Sequence, residues 1–147
     1  MRENVTEKEL IQLSETIIQF YEKLFSWEHA VAKNSGLSPQ QNHTIEIVGS
    51  DGPLRMKPLA EKLSVTMGTL TVMIDRLEKT GYVCRQKDPE DGRGFNIVLT
   101  DKGEMVHKEH HSYHLKLVEE IISLLDQKEA STFLNALIKI NRAQLKS

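Results

Sequence analysis

Apolar residues recur at spacings of three and four through Leu10, Leu13, Ile17, Phe20 and Leu24, which predicts a long amphipathic helix. Thr6 and Glu9 form a capping box that opens it, and Gly36, after Asn34 and Ser35, supplies a left-handed stop. Ser38 caps a second helix with Pro39 in its first turn and Gln41 at its third position. That helix is expected to run to about Val48, where Gly49-Ser50-Asp51-Gly52-Pro53 reads as a breaker cluster.

Leu54 to Met56 reads as a very short strand, and Pro58 as the start of a short helix holding Leu59, Ala60 and Leu63. Thr66 is a plausible cap for a helix from Met67 to Thr80, with Leu70, Met73, Ile74 and Leu77 as its buried stripe and Gly81 as its stop. Tyr82 to Arg85 and Phe95 to Leu99 read as two strands joined by the turn-rich loop 86–94, hence a hairpin. Thr100 caps a long helix from Asp101 to Leu125. Asp126 with Glu129 caps a last one containing Phe133, Leu134, Leu137, Ile138, Ile140 and Leu145. The fold class is therefore mainly α, six helices with a small β-hairpin.

Composition changes this picture little. With 147 residues, 39% hydrophobic and 27% charged, the chain reads as one globular domain with enough apolar residues for a core. No uncharged apolar run approaches the roughly 18 residues of a membrane span, and the polar start MRENVTEKEL is not a secretory signal. A single cysteine, Cys84, excludes an intrachain disulfide, reads as a small buried residue, and leaves a reduced, cytoplasmic setting as the expectation. The net charge of −2 does not advertise nucleic-acid binding, so that function has to be argued locally.

Two short helices joined by a tight turn and followed at once by a hairpin make a winged helix-turn-helix. The outer face of the second helix offers Thr66, Gly68, Thr69 and Thr71, small enough for close approach to a major groove and able to bond bases or phosphates. Arg93 at the hairpin tip would reach a minor groove or phosphate, and Lys57, Arg76, Lys79, Arg85 and Lys87 add positive charge. Residues 51–103 carry nine Lys/Arg against eight Asp/Glu, a local excess in a net acidic chain. An ordinary solvated face would use the same threonines, so their order between structural helices carries the argument.

The stretch from Leu37 to Gly103 resembles the MarR family of bacterial transcriptional regulators. LSPQQNHTIEIV, PLAEKLSVTMGTLTVMIDRLEKTGYVCR, the wing of Asp88, Asp91 and Arg93, and LTDKG carry the likeness, and length and helix order match throughout. The resemblance implies one MarR-type domain over 1–147, in which 37–103 is the DNA-binding lobe and 1–36 and 104–147 are dimerisation helices. It also implies an obligate homodimer reading a pseudo-palindromic double-stranded operator.

Four of six histidines, His107, His110, His111 and His114, fall within an arc of roughly 100° on the fifth helix. Val118, Ile121, Ile122 and Leu125 continue that stripe, so the imidazoles should face protein. A metal would relieve both their mutual repulsion when protonated and their unpaired nitrogens when isolated. His110 and His114, at i and i+4, can present two imidazoles to one ion. Bonds to backbone, water or carboxylates are the alternative. The pair lacks the glutamate of H-E-x-x-H, and no open coordination position with a base is offered, so an enzyme is not expected.

The zinc-sensing repressors of zinc uptake within the same family resemble this chain in the H-x-x-x-H pair of the fifth helix and the acidic residue before it, Glu109. Their likeness implies zinc, or another divalent metal, held by Glu28, His43, His110 and His114. Their second site, which uses a cysteine absent here and a glutamate where Asn42 stands, is not implied, although His29, His107 and His111 could improvise one. The expected function is thus a homodimeric, cytoplasmic DNA-binding regulator, a repressor controlled by metal. Two rivals remain: a MarR-type regulator of a small aromatic or anionic ligand, and a metal-binding or protein-interaction module without DNA readout, which Val72 and the acidic wing (Pro89, Glu90, Gly92) would suit.

Overall fold

Each long helix begins where the sequence provides a cap. The computed structural model describes residues 5–145, so the first four residues of the polar amino-terminal stretch lie outside it. Helix α1 (Glu7–Ser35) opens on Thr6, whose Oγ1 accepts from the Glu9 N–H at 3.3 Å while Glu9 accepts from the Thr6 N–H at 2.8 Å. Ser38 with Gln41 opens α2 (Pro39–Asp51), and Asp126 with Glu129 opens α6 (Gln127–Arg142), by the same reciprocal pair. Thr66 caps α4 (Met67–Lys79), and Thr100 Oγ1 accepts from the Gly103 N–H at 3.1 Å at the start of α5 (Asp101–Ser123).

The boundaries differ from the sequence reading at several points. Helix α2 continues three residues past Val48, so Gly49 lies inside it, and the stop is Gly52 at φ 75°. Gly49 is there for packing: a Cβ would stand 2.6 Å from carbons of the His107 ring. Helix α3 (Met56–Leu63) starts two residues before Pro58, which the first turn tolerates because those N–H groups have no helical partner. The short strand is therefore β1 (Leu54–Arg55) only. Strand β2 is Val83–Lys87 rather than Tyr82–Arg85, since the Tyr82 N–H closes α4 by donating to the Leu77 carbonyl at 2.8 Å. Strand β3 is Phe95–Leu99, α5 ends at Ser123, and Leu145 lies beyond the last helix.

The hairpin gains a third strand. β1 pairs with β3, Leu54 opposite Ile97 and Arg55 opposite Asn96, giving an antiparallel sheet in the order β1-β3-β2. One core lies beneath it, formed by Ile45 and Val48 of α2, Leu59 and Ala60 of α3, Leu70, Met73, Ile74 and Leu77 of α4, and Val83 and Ile97 of the sheet. Asn42 is buried and its amide donates to Ser35 Oγ at 3.1 Å, tying α2 to the end of α1.

The chain divides into two compact units, with the boundary after His110 inside α5. The first holds α1 to α4, the sheet and the start of α5. The second holds the rest of α5 and α6, an amphipathic helix with no buried residue. Among the described residues no helix is long and apolar enough to cross a membrane.

Candidate DNA-binding surface and histidine–carboxylate cluster

Packing fixes which face of α4 is presented. Leu70, Met73, Ile74 and Leu77 are buried, so Met67, Gly68, Thr69, Thr71, Val72 and Arg76 are turned to solvent. Thr66 spends its hydroxyl on the cap: it accepts from the Thr69 N–H at 3.2 Å and donates to Thr69 Oγ1 at 3.0 Å. Thr71 donates to the Met67 carbonyl at 2.8 Å. The two remaining hydroxyls are therefore complementary, Thr69 keeping a proton to donate and Thr71 keeping lone pairs to accept. A Cβ on Gly68 would meet only Thr66 Oγ1, at 4.0 Å, so that surface is open to close approach. Lys57, Lys79 and Lys87 are exposed as expected.

Arg85 is used otherwise than as a phosphate-facing cation. Its guanidinium donates to Asp75 Oδ1 and to Glu78 Oε1, both at 2.7 Å, and its backbone N–H donates to Glu78 Oε2 at 3.1 Å. The Asp75 hydrogen bond, with that to Glu78, raises the Arg85 pKa. The result is a rivet between β2 and α4 that offsets one of the two negative charges of Asp75 and Glu78 and leaves Arg76 and Lys79 beside them.

A second rivet holds the wing. Arg55 donates to Asp88 Oδ2 through Nε at 3.1 Å and Nη2 at 2.7 Å, and reaches Asp91 at 3.4 Å. Asp88 Oδ1 also accepts from the Glu90 N–H at 2.9 Å. That backbone bond, then the bond from Arg55, holds the Asp88 carboxyl below its usual range, while Asp88 raises the Arg55 pKa. A Cβ on Gly94 would run into the Arg55 guanidinium, so a larger residue there would push that side chain away from Asp88. Arg93 is exposed, and its N–H donates to Asp91 Oδ1 at 3.2 Å. Arg55 escaped the sequence reading, and the aspartates of the wing were its only signal.

The histidines divide by environment. His110 is buried at 5% exposure, and its Nε2 stands 3.7 Å from Glu28 Oε2 and 3.6 Å from Glu46 Oε2. The structure thus brings Glu28 and His110 together and adds Glu46, which sequence reading missed. His43 is exposed, as is His111, and His107 is half-buried with its ring against Gly49. His29 is exposed with its Nδ1 3.0 Å from the Phe25 carbonyl. Cys84, expected to be buried, is half-buried in β2 opposite Val98. Among the described residues Glu28, His110 and His114 each offer a donor atom suited to a divalent cation, and His114 follows His110 by one turn of α5.

Residues 37–95 match the sequence profile of the MarR family. The uncharacterized HTH-type transcriptional regulator YcgE of Bacillus subtilis is 36% identical over 91 residues, 59% of this chain and 59% of that protein, so the chain spans about three fifths of that relative's length. Among solved structures, transcriptional regulator Tm0710 of Thermotoga maritima is 30% identical with a TM-score of 0.61, covering 88% of this chain and 92% of that one. FabT of Streptococcus pneumoniae, solved in complex with DNA, shares the fold at a TM-score of 0.84 and 24% identity, over 90% of this chain and 95% of that one.

Proposed function

This chain belongs to the MarR family, and from that premise we propose that it is a DNA-binding transcriptional regulator, a repressor that grips a pseudo-palindromic operator as a homodimer in the cytoplasm. The observation that carries this reading is the outer face of α4: small residues and unspent threonine hydroxyls project from a helix whose other face is locked into the core. The Arg55 and Arg85 rivets hold the wing at its side. Exposed Leu13 and Ile17 on α1, and Leu134 and Ile140 on α6, suit a partner subunit. A mobility shift with the promoter of its own operon tests the proposal. Binding that weakens steeply with salt is expected, since each neutralised phosphate adds about −0.9 to the slope of log K against log salt. Equal affinity for that promoter and for an unrelated duplex would overturn it.

We further infer that a divalent cation, zinc first among them, adjusts DNA affinity through donors drawn from Glu28, His43, His110 and His114. The nearness of Glu28 to a buried His110 supports this. A cation gripped by α1 and α5 would bias the spacing of two recognition helices and so shift the population that fits DNA. Zinc added to chelator-treated protein is expected to tighten operator binding at least tenfold; an unchanged dissociation constant would refute metal control.

A further inference from the structure

We propose that Val72 reads thymine in the operator by seating its two methyl groups against the base's 5-methyl group in the major groove; this rests on the DNA-binding reading above and deepens it by naming a base. Successive residues of an α-helix are about 100° apart, and the buried stripe of Leu70, Met73, Ile74 and Leu77 fixes which direction is outward on α4. Gly68, Val72, Asp75 and Lys79 fall within roughly 30° of that direction, whereas Thr69 and Thr71 stand to either side of it. Val72 is 53% exposed. It also lies in the first half of the helix, where this motif makes its base contacts.

Its neighbours leave it the groove. Gly68, one turn earlier, has no side chain, and a Cβ there would meet only Thr66 Oγ1, at 4.0 Å. Asp75, three residues on, is drawn back to β2 by the Arg85 guanidinium at 2.7 Å, as is Glu78. Arg76 and Lys79 are exposed further along α4 and suit the phosphates that flank a groove. Chemistry narrows what Val72 can recognise. An isopropyl group offers nothing to the donors and acceptors of the base edges, and covering them unpaired is costly. The thymine methyl is the one apolar group that the major groove presents. Branching at Cβ holds Val72 close to one rotamer in a helix, so little freedom is lost when the contact forms.

The test uses uracil, which pairs as thymine does and lacks only its methyl. Full-length wild type, Val72→Ala and Val72→Ile, checked for unchanged circular dichroism, are titrated by fluorescence anisotropy. The probe is the duplex footprinted on the promoter of the chain's own operon, with uracil replacing one thymine at a time in both half-sites. At one or two positions per half-site, uracil is expected to weaken wild-type binding about fourfold per methyl, as for one buried aliphatic carbon. Val72→Ala should bind the thymine duplex more weakly and treat thymine and uracil alike to within about twofold there, while Val72→Ile keeps the preference. The salt dependence of Val72→Ala should match the wild type, since no phosphate contact is removed. Specific binding by the wild type with no uracil costing more than about twofold, or an equal uracil cost in Val72→Ala, would overturn the assignment and leave DNA recognition standing. Equal affinity for the operon duplex and an unrelated one would overturn DNA recognition and the assignment with it.

Discussion

Thr69 and Thr71 are the same residue type on the same exposed face, yet they offer a groove opposite chemistry. Thr69 Oγ1 already accepts from Thr66, so it reads acceptors such as phosphate oxygens or purine N7. Thr71 already donates to the Met67 carbonyl, so it reads donors such as the amino groups of adenine or cytosine. Thr71→Val keeps the shape and removes the acceptor. Its expected cost on a cognate operator is about 1 kcal/mol, roughly fivefold in affinity, as for one net hydrogen bond. Fluorescence anisotropy should show that loss on the operator, none on a scrambled duplex, and recovery in Thr71→Ser; an equal loss on both duplexes would mean that Thr71 touches no base. The recognition face was legible in the sequence because burial of Leu70, Met73, Ile74 and Leu77 dictates it. The hydroxyl roles were not, since they depend on backbone partners one turn away. His110 was legible from its place in the histidine arc and Glu28 from the family likeness, whereas Glu46 depended on the register of α2 against α5. Reading Gly49 as a breaker hid that register, because the glycine makes room for His107.

At the scale of elements, the caps of α1, α2, α4 and α6 were readable because Ser, Thr or Asp accepts from an N–H three residues on, a local geometry. What escaped was non-local: a two-residue strand has no periodicity, so β1 is defined only by its pairing with β3. That pairing places Arg55 beside the wing. Replacing Arg55 with Ala should therefore leave the core and the melting temperature nearly unchanged, speed amide exchange across residues 88–94, and weaken DNA binding several-fold on any sequence. Arg55→Lys should recover it only in part, since a point charge cannot make the two-pronged contact with Asp88. The pH dependence has a fixed sign. Folding holds the Asp88 pKa below its ordinary 3.8, so the stability this provides is complete above that value and is lost as pH falls through the lower folded value. The exchange rates of the wing, corrected for intrinsic chemistry, should thus stay flat as pH falls to 3.8 and rise only below it. A step at or above 3.8 would show that the Glu90 N–H and Arg55 do not hold the Asp88 carboxylate.

For the whole molecule, the contrast between the lobe and the helices outside it decides what the chain needs. Ile45, Leu59, Leu70, Ile74, Leu77 and Ile97 are essentially inaccessible to water, a core drawn from α2, α3, α4 and the sheet. Helix α1 carries Leu13 at 54% and Ile17 at 58% exposure, and α6 carries Leu134 at 57%. Rows of aliphatic side chains at helical spacing are costly in water, at about 25 cal/mol per Å² of apolar surface left uncovered, and a second copy can cover them. Ile17→Asp or Leu134→Asp would place a charge in such an interface. Sedimentation velocity should then find the wild type as a dimer at micromolar concentration and either variant as a monomer, with the circular dichroism of the lobe preserved because neither residue belongs to its core. Operator affinity should fall about 10²–10⁴-fold in the variants, since a second half-site is no longer delivered at high effective concentration, while binding to an isolated half-site changes little. A wild type that sediments as a monomer, or a monomeric variant with full operator affinity, would show that the two recognition helices are not presented by a dimer.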